Sequence, residues 1–184
     1  MTDRDTPYPT REDERRRWQQ LTREIHATLP QRRRPPPAAR PSHPGHLIVM
    51  GSGIGTLGFT RDSEAMIRSA DQVFFCVANA ATEVWLRTIR PDALNLYVFY
   101  DNKKRRYLTY MQMAEAILHP VRQGKRVVAI FYGHPGIFVL SSHRAVAIAR
   151  QEGHRAEMRP GISSLDHLCA DLGVDPAFPG LQTF

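Results

Sequence analysis

The chain has 184 residues, 42% of them hydrophobic, with two cysteines and a net charge of +7, a size that suits one domain or one domain with an appendage. No apolar run approaches the ~20 residues of a membrane-spanning helix, and Cys76 and Cys169 have neither CxxC nor Cys/His spacing, which argues against a membrane protein, a zinc site and a disulfide framework. Ten arginines and six acidic residues fall within residues 1–45, a net of +4 that leaves only +3 for the rest. The basic character therefore belongs mainly to an N-terminal arm, and a cytoplasmic protein with two buried, reduced thiols and no metal is expected.

Residues 10–29 read as a charged helix with a narrow apolar stripe of Trp18, Leu21, Ile25 and Leu29, which needs a surface to lie on. Residues 30–45 hold an Arg/Pro-rich linker, partly disordered, and the domain proper is expected over residues 46–184. The runs Arg15-Arg-Arg17 and Arg32-Arg-Arg34 lack interleaved aromatics, so a solvated face is expected rather than a nucleic-acid contact. From His46 the pattern alternates: strand 47–50, a glycine loop 51–58, a helix 60–70 capped by Thr60, strand 73–77, helix 80–90, and a third strand over 96–99. Helix 109–122, strand 127–131, helix 141–151, a short strand 156–158 and helix 163–172 follow. Strands alternating with helices imply right-handed βαβ units and a parallel sheet.

The run Val127-Val-Ala-Ile-Phe131 is apolar at every position and stops at Tyr132-Gly-His-Pro-Gly136. A strand of this kind has both faces covered, and the ligands of such sheets bind off the strands' carboxyl ends. Gly53-Ile-Gly55-Thr-Leu-Gly58 matches a GxGxxG loop, but Ala78-Asn79-Ala80 stands where a dinucleotide site wants an acid after the second strand. The loop therefore reads as a glycine turn for another cofactor, or as a chain reversal. Four of the six tyrosines lie between Tyr97 and Tyr110. Arg106 and Tyr110, four apart at a helix start, can share a face, where a guanidinium would favour a phenolate. The same residues also fit a packed strand, an exposed tyrosine and a solvated basic loop.

Gly51-Ser-Gly-Ile-Gly55, Phe131-Tyr-Gly-His-Pro-Gly-Ile-Phe138, Pro160-Gly-Ile-Ser-Ser164 and Ala170-Asp-Leu-Gly-Val-Asp-Pro176 resemble the tetrapyrrole methylase class of S-adenosylmethionine-dependent methyltransferases. Within that class, Tyr97-Val-Phe-Tyr100, Arg106 and Thr109-Tyr-Met-Gln-Met113 are similar to the borosin enzymes, which N-methylate the backbone amides of ribosomally made peptides. The resemblance implies an α/β fold, specifically the parallel-sheet N-terminal domain of a class III methyltransferase, preceded here by the helical arm. It implies S-adenosyl-L-methionine as cofactor and Arg106, Tyr110 and Tyr132 as the catalytic group, with Tyr97 and Tyr100 beside them. Gly51, Gly53, Gly55, Tyr132, Gly133, His134, Ile137, Ser163 and Ser164 would hold the cofactor. It also implies a homodimer.

Enzymes of this class enclose the cofactor between two α/β domains, and this sequence stops about where the second begins, so a missing second domain is expected. The sequence ends without a peptide tail, so the expected substrate is a precursor peptide acting in trans. Methylation of a tetrapyrrole or another small molecule, and a non-catalytic binding module, are the alternative readings.

Overall fold

The computed structural model describes residues 10–28, 41–178 and 180–182. Leu29 and most of the predicted linker, including Arg32–Arg34, lie outside the described residues. Helix α1 (Arg11–Thr28) is followed by β1 (His46–Gly51), α2 (Ser63–Arg68), β2 (Gln72–Cys76), α3 (Ala80–Ile89) and β3 (Leu94–Asn95). Then come a 3-10 turn (Leu96–Phe99), α4 (Arg106–Arg122), β4 (Arg126–Phe131), α5 (Leu140–Gln151), β5 (Arg155–Arg159) and α6 (Ser164–Leu172).

The five strands form one parallel sheet in the order β3-β2-β4-β1-β5. Alternation along the strands sends side chains to two cores. Leu47, Val49, Phe74, Val127 and Ala129 meet Trp18 of α1, Met113 and Ile117 of α4, and Ala145 of α5. Ile48, Met50, Phe75, Val128 and Ile130 meet Met66 and Ile67 of α2 and Leu86 of α3. The apolar β4 run is buried because both faces carry helices. The stripe on α1 finds its surface: Trp18 is 7% exposed, with its ring centroid 6.1 Å from that of Phe74 and 5.1 Å from that of Phe99.

Strand order also sets the site. The chain steps outward from β1 to β2 and β3 through helices on one face, then returns through α4 to β4 and by α5 to β5 on the other face. β4 therefore lies between β1 and β2, whose following helices cover the opposite face. Such a reversal leaves a crevice at the carboxyl ends of these strands.

Three predicted elements differ. Residues 96–99 are a 3-10 turn, not a strand, and β3 ends at Asn95. The Asn95 side chain accepts from the Tyr97 N–H at 2.9 Å, and this local bond turns the chain out of the sheet. Helix α2 starts at Ser63 with Asp62 at its cap, while the Thr60 hydroxyl is taken up by the Asp62 and Ser63 side chains at 2.8 Å each. Helix α4 starts at Arg106, three residues earlier than predicted. Of the two thiols, Cys76 is buried as expected, but Cys169 is only half-buried, because α6 buries none of its residues.

Candidate functional site

The carboxyl ends of β1 and β4 are pinned together by backbone. The Gly53 N–H donates to the Gly133 carbonyl at 3.2 Å, and the Gly133 N–H donates back to Gly53 at 3.0 Å. Both glycines have positive φ, 70° and 69°, a conformation that Cβ-bearing residues rarely adopt. A Cβ on Gly51 would lie 2.1 Å from the Gly133 carbonyl oxygen, and one on Gly161 would lie 2.5 Å from it. Only bare backbone allows β1, the loop after β4 and the loop before α6 to converge here. Gly55 is different: a Cβ there meets nothing within 4 Å.

The turn after Gly133 is held from both sides. His134 Nδ1 accepts from the Gly136 N–H at 2.9 Å, so its proton sits on Nε2. His143 Nε2 donates to the Gly136 carbonyl at 2.9 Å, and the buried Ser142 hydroxyl lies against the Pro135 and Val139 carbonyls.

Over this turn lies an open cavity of about 270 Å³. Tyr97, Tyr100, Tyr110 and Tyr132 line it together with Gly133, His134, Ile137, Ser163 and Ser164. Of the predicted site residues, Arg106, Gly51, Gly53 and Gly55 do not line it. Gly51 and Gly53 lie against the Gly133 backbone that lines it, and Arg106 lines an adjoining groove with Tyr97, Tyr100 and Tyr110. Its guanidinium carbon is 4.8 Å from the centre of the Tyr100 ring, and no Arg106–Tyr110 hydrogen bond occurs among the described residues. Tyr97 and Tyr100 have ring centroids 5.3 Å apart. The Lys104 ammonium fastens this corner by donating to the Phe99 carbonyl and to Gln112 Oε1.

Burial pushes the Tyr100 phenol up to about 12, aided by Cys76, Tyr110 and Tyr97 and opposed by Arg106. Burial raises Tyr97 in the same way, with the Cys76 thiol beside it adding to the effect. Both phenols are therefore neutral donors at ordinary pH. Cys76 is itself pushed up to about 11 by burial. This thiol at the end of β2 is a cavity residue that the sequence pattern missed; it becomes legible only once β2 is known to neighbour β4.

Ser163 and Ser164 divide their tasks. Ser163 caps α6, its hydroxyl accepting from the Leu165 and Asp166 N–H groups at 3.2 Å while Asp166 Oδ2 accepts from the Ser163 N–H and hydroxyl. The Ser163 hydroxyl is thereby engaged in the cap. The exposed Ser164 hydroxyl has no partner among the described residues.

Residues 46–184 match the family described as tetrapyrrole (corrin/porphyrin) methylases. The chain belongs to the tetrapyrrole methylase family. One relative, described as a methyltransferase/ribosomally synthesized type III borosin cyclic peptide precursor from Anomoporia bombycina, is 48% identical over 165 residues, which is 89% of this chain and 19% of that protein. The omphalotin A methyltransferase/precursor of Omphalotus olearius is 48% identical over 141 residues, 76% of this chain and 34% of its own length. The chain thus spans between a fifth and about a third of these relatives. Among solved structures, a cobalt precorrin-4 methyltransferase aligns with a TM-score of 0.52 at 20% identity, covering 80% of this chain and 58% of that one. A putative diphthine synthase from Entamoeba histolytica gives 0.53 at 15% identity, covering 74% and 49%. These last two share the fold of this tetrapyrrole methylase family domain. No helix among the described residues is long and apolar enough to cross a membrane.

Proposed function

We propose that this domain bears the methyl-donor seat and the catalytic phenols of an S-adenosylmethionine-dependent methyltransferase acting on peptide backbone amides. The observation that carries the proposal is the four-tyrosine cavity at the crevice beside β4, in a chain 48% identical to two proteins named as methyltransferase/cyclic peptide precursors, one of them a type III borosin.

The cavity fits such a cofactor. Among the described residues no lysine, arginine or carboxylate lines it, whereas four phenol rings do, which suits a sulfonium cation. Tyr132, His134, Ile137 and Ser164 would hold the cofactor against the Gly133 turn, Ser164 with a hydroxyl left unpaired. When bound, S-adenosylmethionine would supply an activated methyl group for transfer to the amide nitrogen.

An amide nitrogen is a poor nucleophile because its lone pair is drawn into the carbonyl. The Tyr110 oxygen, at the cavity wall, is the general base that receives the N–H proton, while Arg106 sets its cation against the ring of Tyr100. The protonated phenols of Tyr97 and Tyr100 donate to the amide oxygen as negative charge develops there. The apolar wall of Met113, Phe131 and Ile137 keeps water from competing for the methyl group.

Incubation of the protein with S-adenosylmethionine and a test peptide should give mass gains of about 14 Da per transferred methyl, located on backbone nitrogens by fragmentation and abolished by Tyr110→Phe. Transfer to a tetrapyrrole, untouched by Tyr110→Phe, would overturn the peptide assignment.

A second reading, that the chain is a binding half completed by another domain or chain, draws support from α6. Leu168 and Leu172 on α6 and Val174 and Phe178 after it are exposed, Phe178 at 87%. The homodimer belongs to the same question, and light scattering that returns a monomer would remove it.

A further inference from the structure

Outside the cavity, two open grooves lead away from the tyrosines. The nearer, about 1080 Å³, runs along residues 101–106 and shares Tyr97, Tyr100 and Tyr110 with the cavity. The farther, about 1040 Å³, lies between α1, α3 and β3, and shares Val98 with the nearer one. The shared residues make one continuous trough from α1 to the phenols, with Val98, 59% exposed, as the saddle.

The far groove is basic. Arg87 bridges Glu14 at 2.9 Å and Glu83 at 2.8 Å, and the four arginines of the lining outnumber these two carboxylates. Arg11, Arg15 and Arg23 also line it and have no carboxylate partner among the described residues. Between them stand Gln19, Thr22 and Asn95, groups suited to a peptide backbone. Trp18 forms part of the lining. Lys103 and Arg106 extend the positive lining toward the cavity.

We propose that this trough is the docking track for an acidic, extended segment of the peptide substrate, whose carboxylates pair with Arg11, Arg15 and Arg23 while the chain beyond it crosses Val98 into the tyrosine cavity. The inference rests on the peptide methyltransferase reading and adds to it where the unmethylated part of the substrate is held. A peptide fits better than a nucleic acid because Trp18, the one aromatic ring lining the far groove among the described residues, is only 7% exposed against Phe74 and Phe99 and offers little ring surface on which a base could stack.

The test is fluorescence anisotropy on the full chain with a labelled decapeptide of alternating Glu and Val, compared with its Gln/Val analogue. The acidic peptide should bind about tenfold more tightly or better, with the advantage shrinking as salt rises. It should be lost in Arg15→Glu/Arg23→Glu, while S-adenosylmethionine titrated into the same variant binds as before. Equal affinity for the two peptides overturns the proposal on the unaltered protein, so it does not depend on the variant folding. A wild-type affinity in the folded variant, or tighter binding and displacement of the peptide by single-stranded oligothymidine, also overturns it, the latter in favour of nucleic acid. Loss of cofactor binding with peptide selectivity intact would count against the methyltransferase reading and leave the trough standing.

Discussion

The Arg106 guanidinium lies 4.8 Å from the centre of the Tyr100 ring, so the charge associated with the phenol cluster contacts the ring of one tyrosine rather than the oxygen of another. Such a contact near the surface is worth about 0.5–1 kcal/mol. Arg106→Ala should therefore shift the unfolding midpoint little while lowering methyl transfer, and Arg106→Lys should recover only part of the rate because an ammonium lacks the planar face. Thermal melts run beside a transfer assay check both halves.

The phenols should separate by pH. Tyr100 is raised to about 12 in the folded protein by burial, whereas an unfolded tyrosine ionises near 10. Its contribution to stability is present in full below about pH 10 and is lost as pH rises toward 12, since the unfolded state releases the proton first. Absorbance at about 295 nm should show a late-titrating tyrosine that Tyr100→Phe removes, and alkaline unfolding of that variant should start at higher pH.

The two thiols should react in a fixed order. Cys76 is buried and pushed up to about 11, leaving roughly one part in a thousand as thiolate at pH 8. Cys169 is half-buried on α6. Iodoacetamide at pH 8 should alkylate Cys169 well before Cys76, as read by peptide mass spectrometry, and a ligand filling the cavity should slow Cys76 further.

Gly51 and Gly55 should respond in opposite ways. A Cβ on Gly51 would sit 2.1 Å from the Gly133 oxygen, while one on Gly55 meets nothing within 4 Å. Gly51→Ala should cost about 1–3 kcal/mol or more and weaken cofactor binding. Gly55→Ala should leave the denaturation midpoint nearly unchanged.

Trp18→Ala should destabilise the domain by about 3–5 kcal/mol, because Trp18 joins α1 to Phe74 of the sheet and to Phe99 beneath the tyrosines. Chemical denaturation measures it, and the effect identifies α1 as part of the folded unit.

The parallel sheet was legible because β4 is an unbroken apolar run and because helices alternate with strands at regular spacing. The crevice was legible from Gly133-His-Pro-Gly136 following that run. Leu96-Tyr-Val-Phe99 misled because its residues favour strands, yet one side-chain bond from Asn95 outweighs that preference at a sheet edge. Ser163 looked like a ligand group, but the Ser-x-x-Asp166 pattern is also a capping box, and the cap consumes its hydroxyl. Arg106 was paired with Tyr110 by helical spacing. Spacing fixes only which residues share a face, and Tyr100, supplied by the preceding turn, offered its ring to the guanidinium. Cys76 escaped notice because strand order is not written in any local pattern.

The claim that everything else depends on is that the turn after β4 seats a methyl donor, and titration calorimetry of S-adenosylmethionine into the folded chain tests it most directly. The account predicts saturable one-site binding in the micromolar range, weakened about tenfold or more by Tyr132→Ala, whose side chain is 38% exposed and whose removal leaves the core intact. Absence of heat from a folded chain, or binding that Tyr132→Ala does not alter, would contradict it.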